Sequence, residues 1–374
     1  MPTPSAADVL SSGKGENTFH SLIFLVFTQL MKENYTCPQS YQLKSWKVNL
    51  TCFLINSFLD LNYEEMKAEG NTSTVTEFVF QGFSDLPNLQ VLLFGLFIIN
   101  YMIVLLGNGL IIIITKFDPA LRKPMYFFLG NFSSLEIFYV TVTLPRMLKD
   151  LLTKSRGISR VECAIQVYFF ASLGDTECLL LAVMSYDRYV AICNPLHYPL
   201  VMNHKVCVLL ALGSWTVVIP FQVWQTCQIF SLHFCKSKEI KHYFCDILPV
   251  LKLACGNTSL QEVTLYIGTL LFVVTPFMLI LASYSKIIST ILRLPTATGR
   301  AKAFSTCSSH LIVVLLFFGS ATITYLQPKS MQSPGTDKLL SLLYTTVTPM
   351  FNPLIYSLRN KEVIAALRKL FLRK

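Results

Sequence analysis

The chain has 374 residues, of which 53% are hydrophobic and only 14% charged, with a formal net charge of +10. Soluble domains carry about 25% charged residues, so this deficit excludes a soluble globular protein of this size. Ordinary Gly (16) and Pro (17) and abundant Phe (28) exclude collagen-like, low-complexity and disordered chains. The basic residues lie in short clusters between apolar runs, a membrane topology pattern rather than a nucleic-acid one.

The first 65 residues hold one apolar run, Leu22 to Leu30, which is too short to span a bilayer and has no small-residue cleavage site after it. From residue 88 onward, seven apolar stretches are long enough to cross about 30 Å of hydrocarbon as helices. They run from Asn88 to Thr115, Pro124 to Leu148, Cys163 to Ile192, Val206 to Phe230, Leu260 to Leu292, Ala303 to Leu326 and Leu339 to Leu358. A barrel's ten-residue alternation is missing, so the expected fold is an all-α membrane protein, a seven-transmembrane helix bundle. Pro145, Pro220, Pro276, Pro349 and Pro353 fall inside these runs and are expected as kinks.

An extracellular N-terminus places fifteen Lys and Arg on the inner side and eleven on the outer side, which favours that orientation. The sequons at Asn71 and Asn257 and the cysteine-rich loop with Cys235, Cys245 and Cys255 would then lie outside, where glycosylation and disulfides belong. Residues 359–374 form a basic amphipathic tail on the cytoplasmic side, suited to membrane lipid.

The third stretch carries Phe170, Gly174, Glu177, Leu181, Met184 and Arg188 on one helix face. Glu177 and Arg188 are three turns apart, roughly 16 Å along the axis. Lipid would penalise both charges, so this face points into the bundle. Glu136 on the second stretch is a companion for Glu177 at similar depth. Two buried carboxylates cannot both remain ionised and unpaired, so they share a proton or hold a small cation.

The third span ends in Met184-Ser185-Tyr186-Asp187-Arg188-Tyr189-Val190-Ala191-Ile192-Cys193, and the seventh contains Asn352-Pro353-Leu354-Ile355-Tyr356. On seven spans, these resemble the rhodopsin-like G-protein-coupled receptors. Pro124-Met125-Tyr126-Phe127-Phe128-Leu129, the sixth-span entry Lys302-Ala303-Phe304-Ser305-Thr306-Cys307-Ser308-Ser309-His310, and Ser357-Leu358-Arg359-Asn360-Lys361 narrow the likeness to the olfactory receptor family, over about residues 70 to 370. Two departures stand out: Phe318 and Phe351 occupy positions where many members carry Tyr and Leu. Residues 1–65 have no counterpart in the family pattern, and Met66 opens what reads as a usual start. Residues 1–65 are therefore an atypical extension, 66–87 an extracellular N-terminus and 88–358 the receptor domain.

The resemblance implies a receptor for small, mainly hydrophobic odorants that activates a stimulatory, olfactory-type G protein at the plasma membrane and raises cyclic AMP. A ligand pocket in the outer half would draw on Phe170, Ala171, Gly174, Asp175, Gly268, Phe272, Ala321, Tyr325 and Thr345. A single aromatic here can equally be packing, and Asp175 can equally serve as a bond between helices. The coupling switch would comprise Asp187, Arg188, Tyr189, Tyr284, His310, Asn352 and Tyr356, with Arg188 paired to Asp187 at rest. The family pattern pairs Cys163 with Cys245 and Cys235 with Cys255, although spacing alone allows other connectivities. It also favours sodium at Glu136 and Glu177, with no other cofactor. No HExxH, phosphate loop or GxSxG elbow appears, so no enzyme activity is expected. Two alternatives remain, a receptor for a non-odorant metabolite and an ion-conducting protein. The latter has no need of the Asp-Arg-Tyr end.

Overall fold

The computed structural model describes residues 77–83, 87–153, 156–235, 237–293, 296–326, 334–358 and 360–372. The extension 1–65 and the sequon at Asn71 lie outside them, and the side chains of Tyr325 and Tyr356 are likewise not described. The fold is a seven-transmembrane helical bundle. Among the described residues five helices are long and apolar enough to cross a membrane: Gln90–Phe117, Pro124–Leu152, Arg160–Cys193, His204–Phe230 and Ser259–Leu292. Ala297–Leu326, with a shorter apolar stretch at His310–Ile323, forms the sixth span, and the helical run from Pro334 to Leu358 forms the seventh. A final helix, Lys361–Leu372, follows.

Each boundary has a local cause. Ser159 caps the third span by accepting from the Glu162 amide at 3.2 Å, while the Glu162 carboxylate accepts from the Ser159 amide at 3.1 Å. The fourth span is interrupted: one helix ends at Thr216 and the next begins at Ile219, with Pro220 in its first turn. Proline is tolerated there because first-turn amides have no partner within the helix. Pro145, by contrast, lies inside an unbroken second helix.

The fifth and seventh spans use another device. Leu270–Val274 and Leu343–Val347 each form a π turn, and both end in the same tripeptide, Val274-Thr275-Pro276 and Val347-Thr348-Pro349. The amides of Thr275 and Thr348 bond five residues back, to Leu270 and Leu343. Proline lacks an N–H and crowds the preceding turn, so widening that turn relieves the conflict. The Thr275 hydroxyl adds a second donor to the Leu270 carbonyl at 2.8 Å.

One end of the bundle, termed the outer end because it carries both disulfides, also bears a small sheet that the helical reading did not foresee. β1 (Glu77–Phe80) pairs antiparallel with β2 (Gly157–Ser159) and parallel with β3 (Glu239–Ile240). Phe78, Phe80, Ile158 and Ile240 turn inward to an outer apolar cluster that includes Cys163 and Cys245. The larger core runs down the bundle beneath it. At the opposite end the last helix buries Val363 and Ala366, and Glu362 meets Lys123 at 2.7 Å. That ion pair is largely exposed and adds little stability, although the Lys123 hydrogen bond holds the Glu362 carboxyl below the usual range.

Candidate functional site

Functional side chains fall at three depths. At the outer end the loop between the fourth and fifth spans folds inward as a strap, His242-Tyr243-Phe244-Cys245. Disulfides join Cys163 with Cys245 and Cys235 with Cys255, with Cα separations of 5.5 and 5.8 Å. The free thiols Cys178, Cys193, Cys207, Cys227 and Cys307 lie elsewhere. The strap reaches the seventh span beside its π turn. Tyr243 shares a 2.9 Å hydrogen bond with Thr345, and His242 shares another of 2.9 Å with Ser341. Phe244 rests against Phe170 at 4.7 Å, and Phe170 also meets Tyr139 and Tyr344.

Phe170 therefore meets the strap at Phe244, and Thr345 meets it at Tyr243. Ala171 packs on the outer cluster, and Ala321 is half-buried on the sixth span. A Cβ on Gly174 would find no heavy atom within 4 Å, so space remains beside it. Gly268 is different: a Cβ there would come within 2.6 Å of the Phe221 ring, which also packs edge-on to Phe272 at 5.3 Å. Gly268 and Phe272 thus form an aromatic seam between the fourth and fifth spans. Asp175 accepts a 2.6 Å hydrogen bond from Gln222 of the fourth span. Asn257 is exposed in the same outer region.

Midway down, Glu136 and Glu177 are buried, and Asn352 donates to Glu136. Glu136 Oε2, Glu177 Oε1, Asn352 Oδ1 and Ser133 Oγ are all buried without a hydrogen-bond partner. Such groups are costly unless something satisfies them. The set contains only oxygen, with two carboxylates, and therefore fits a hard cation such as sodium better than a soft one. Asn108 on the first span, also buried, donates to the Val104 carbonyl of its own helix at 3.1 Å.

At the inner end, Asp187 accepts from the Tyr198 hydroxyl at 2.9 Å. Among the described residues no ion pair within 4.0 Å joins it to Arg188, which is half-buried, as is Tyr189. Tyr284 meets His310 Nδ1 at 2.8 Å with the rings stacked, tying the fifth span to the sixth. Phe318, the departure from Tyr, packs on Phe277 at 5.0 Å and leaves no polar group to satisfy.

Sequence reasoning missed Tyr198, Gln222, His242 and Tyr243. Tyr198 lies eleven residues from Asp187 and opens the four-residue helix Tyr198–Val201, too short for periodicity to apply. Gln222, however, begins a Gln222, Gln225, Gln228 series at three-residue spacing on an apolar helix. Polar side chains in a span face the bundle interior, so that signal was available.

Seven spans, a disulfide-pinned outer strap, a buried polar centre and an Asp-Arg-Tyr inner end define a heptahelical receptor. A sequence profile described as olfactory receptor matches residues 97–374. Olfactory receptor 10AG1 of Homo sapiens is 59% identical over 294 residues, which are 79% of this chain and 98% of that receptor. Olfactory receptor 10A7 is 52% identical over 304 residues (81% and 96%), and olfactory receptor 13C9 is 46% identical over 306 (80% and 96%), both also from Homo sapiens. The chain belongs to the olfactory receptor family. It is an odorant-sensing, G-protein-coupled, multi-pass membrane protein, and its family is one of receptors rather than enzymes.

Proposed function

We propose that the chain binds small, mainly hydrophobic odorants beneath the outer strap and activates a stimulatory, olfactory-type G protein that raises cyclic AMP. The N-terminus lies outside the plasma membrane and the C-terminus inside. The observation that carries this reading is the inner-end arrangement. Tyr198 occupies Asp187, no carboxylate among the described residues pairs with Arg188, and Tyr284 with His310 ties the fifth span to the sixth. An outward movement of the sixth span would break that pair and open a cleft for a G-protein helix, in a two-state equilibrium biased by ligand. The last helix and its basic side chains rest on anionic lipid.

In cells expressing the chain, a panel of volatile molecules should raise cyclic AMP. Arg188→Ala should cut that response at least tenfold at unchanged surface expression, and an undiminished response would refute the role of Arg188.

Glu136, Glu177, Asn352 and Ser133 would hold a sodium ion, whose charge would stabilise the resting bundle. Raising sodium should lower basal signalling, and the Glu136→Gln, Glu177→Gln double variant should lose that dependence. Equal sodium sensitivity in both proteins would instead leave the carboxylates as a proton-sharing pair.

A further inference from the structure

The third and fourth spans run antiparallel, and a polar seam lies between their outer halves. Asp175 and Gln222 are joined across it. One turn outward on the third span is Ser172; one turn outward on the fourth are Gln225 and Thr226. Ser172, Gln222, Gln225 and Thr226 are 8%, 4%, 2% and 4% exposed. Gln222 Oε1, Gln225 Nε2 and Thr226 Oγ1 are all buried without a hydrogen-bond partner. Three such atoms within five residues of the fourth span exceed what helix packing requires, since each costs free energy until something pairs with it.

The seam also holds a carboxylate. Among the described residues no Lys, Arg or His pairs with Asp175, whose partner is the neutral Gln222 amide. Gly174, the neighbour of Asp175, borders open space. The site therefore combines a carboxylate, one uncharged acceptor (Gln222 Oε1), a hydroxyl that can accept or donate and one unpartnered donor (Gln225 Nε2), with room for a small molecule and, among the described residues, no positive group. A neutral aldehyde or ketone could accept from Gln225 Nε2 or a hydroxyl but would leave the Asp175 carboxylate without a counter-charge, and a carboxylic acid would meet like charge. A protonated amine supplies both the missing charge and up to three N–H donors.

We propose that this seam is the head-group subsite of the odorant pocket and that the receptor is tuned to small alkylammonium ligands. Asp175 takes the charge and one N–H, Gln222 Oε1 and the Thr226 hydroxyl accept the remaining two N–H groups, and the alkyl tail lies toward Phe170. The inference deepens the proposed odorant pocket and rests on it.

The test uses the full-length receptor purified into lipid nanodiscs, so that binding is read without a G protein. Thermal unfolding is followed with straight-chain primary amines of four to eight carbons and with the alcohols and carboxylic acids of equal length, at constant salt and pH 7. At least one amine should raise the unfolding midpoint, at a concentration tenfold or more below that needed by its matching alcohol. Asp175→Asn should remove that preference. Alcohols matching or exceeding every amine, no shift with any amine, or a preference that survives in well-folded Asp175→Asn would each overturn the proposal. The amine-to-alcohol comparison in the unaltered protein decides the matter if the variant does not fold. Failure of coupling is separable, because it appears as amine binding without an Arg188-dependent rise in cyclic AMP.

Discussion

His242 shows how much one side chain's surroundings matter. It is 2% exposed, bonded to Ser341 and stacked on Tyr243, and burial, aided by the positive charge of Lys338, lowers its pKa from 6.5 to about 3. The folded protein thus keeps the ring neutral where the unfolded chain protonates it. Between pH 3 and 6.5 the unfolded state binds more protons, so stability is full above pH 6.5 and falls as pH drops through this window. Going from pH 7.5 to 5 should cost about 2 kcal/mol through this residue. His242→Gln should abolish that component, measured as the difference in acid sensitivity of thermal unfolding between the two proteins. Identical acid profiles would mean that the ring is hydrated. No spacing rule marked His242 in the sequence, because its burial depends on where a long loop folds.

Individual helices show a different division. The length of the apolar runs placed the spans within about six residues of their observed bounds, because length and hydropathy are local properties. The π turns were not foreseen, although both precede a Thr-Pro pair. Proline was read only as a kink, whereas the structure resolves the missing donor by widening a turn. Close approach between helices was also hidden. A Cβ on Gly107 of the first span would come within 3.1 and 3.2 Å of the Pro353 ring on the seventh, so the two helices pack closely there. Small residues at such contacts allow tight packing in membranes. Gly107→Val should force these helices apart and cost about 1–3 kcal/mol, seen as a lower unfolding midpoint and reduced surface expression. An unchanged midpoint would show that the seam can relax.

For the whole molecule, the outer end depends on contacts between distant parts of the chain. β1 pairs with two loops, and the strap reaches the third and seventh spans. The Cys163–Cys245 bond spans 82 residues and the Cys235–Cys255 bond 20. Loop-closure entropy assigns them upper limits of about 4.5 and about 3 kcal/mol, reduced because inserted spans already restrain the unfolded chain. Cys163→Ser with Cys245→Ser should therefore lower the unfolding midpoint more than Cys235→Ser with Cys255→Ser, and should also release the strap and weaken ligand responses. The reverse order would show that the short loop governs the outer cap.

Membrane residence, span number and family membership were legible in composition and in a few contiguous motifs. The reason is that bilayer thickness and backbone satisfaction act on each segment separately. Glu136, Glu177, Asp187 and Arg188 also stood out, since charge within a span is costly wherever it occurs. The partners of those charges were decided only by tertiary structure. Asp187 turned to Tyr198, Asp175 to Gln222 and Glu136 to Asn352. Helix phase sets which face a residue occupies, but hydrogen bonds between spans depend on the rotation and depth at which neighbouring helices pack.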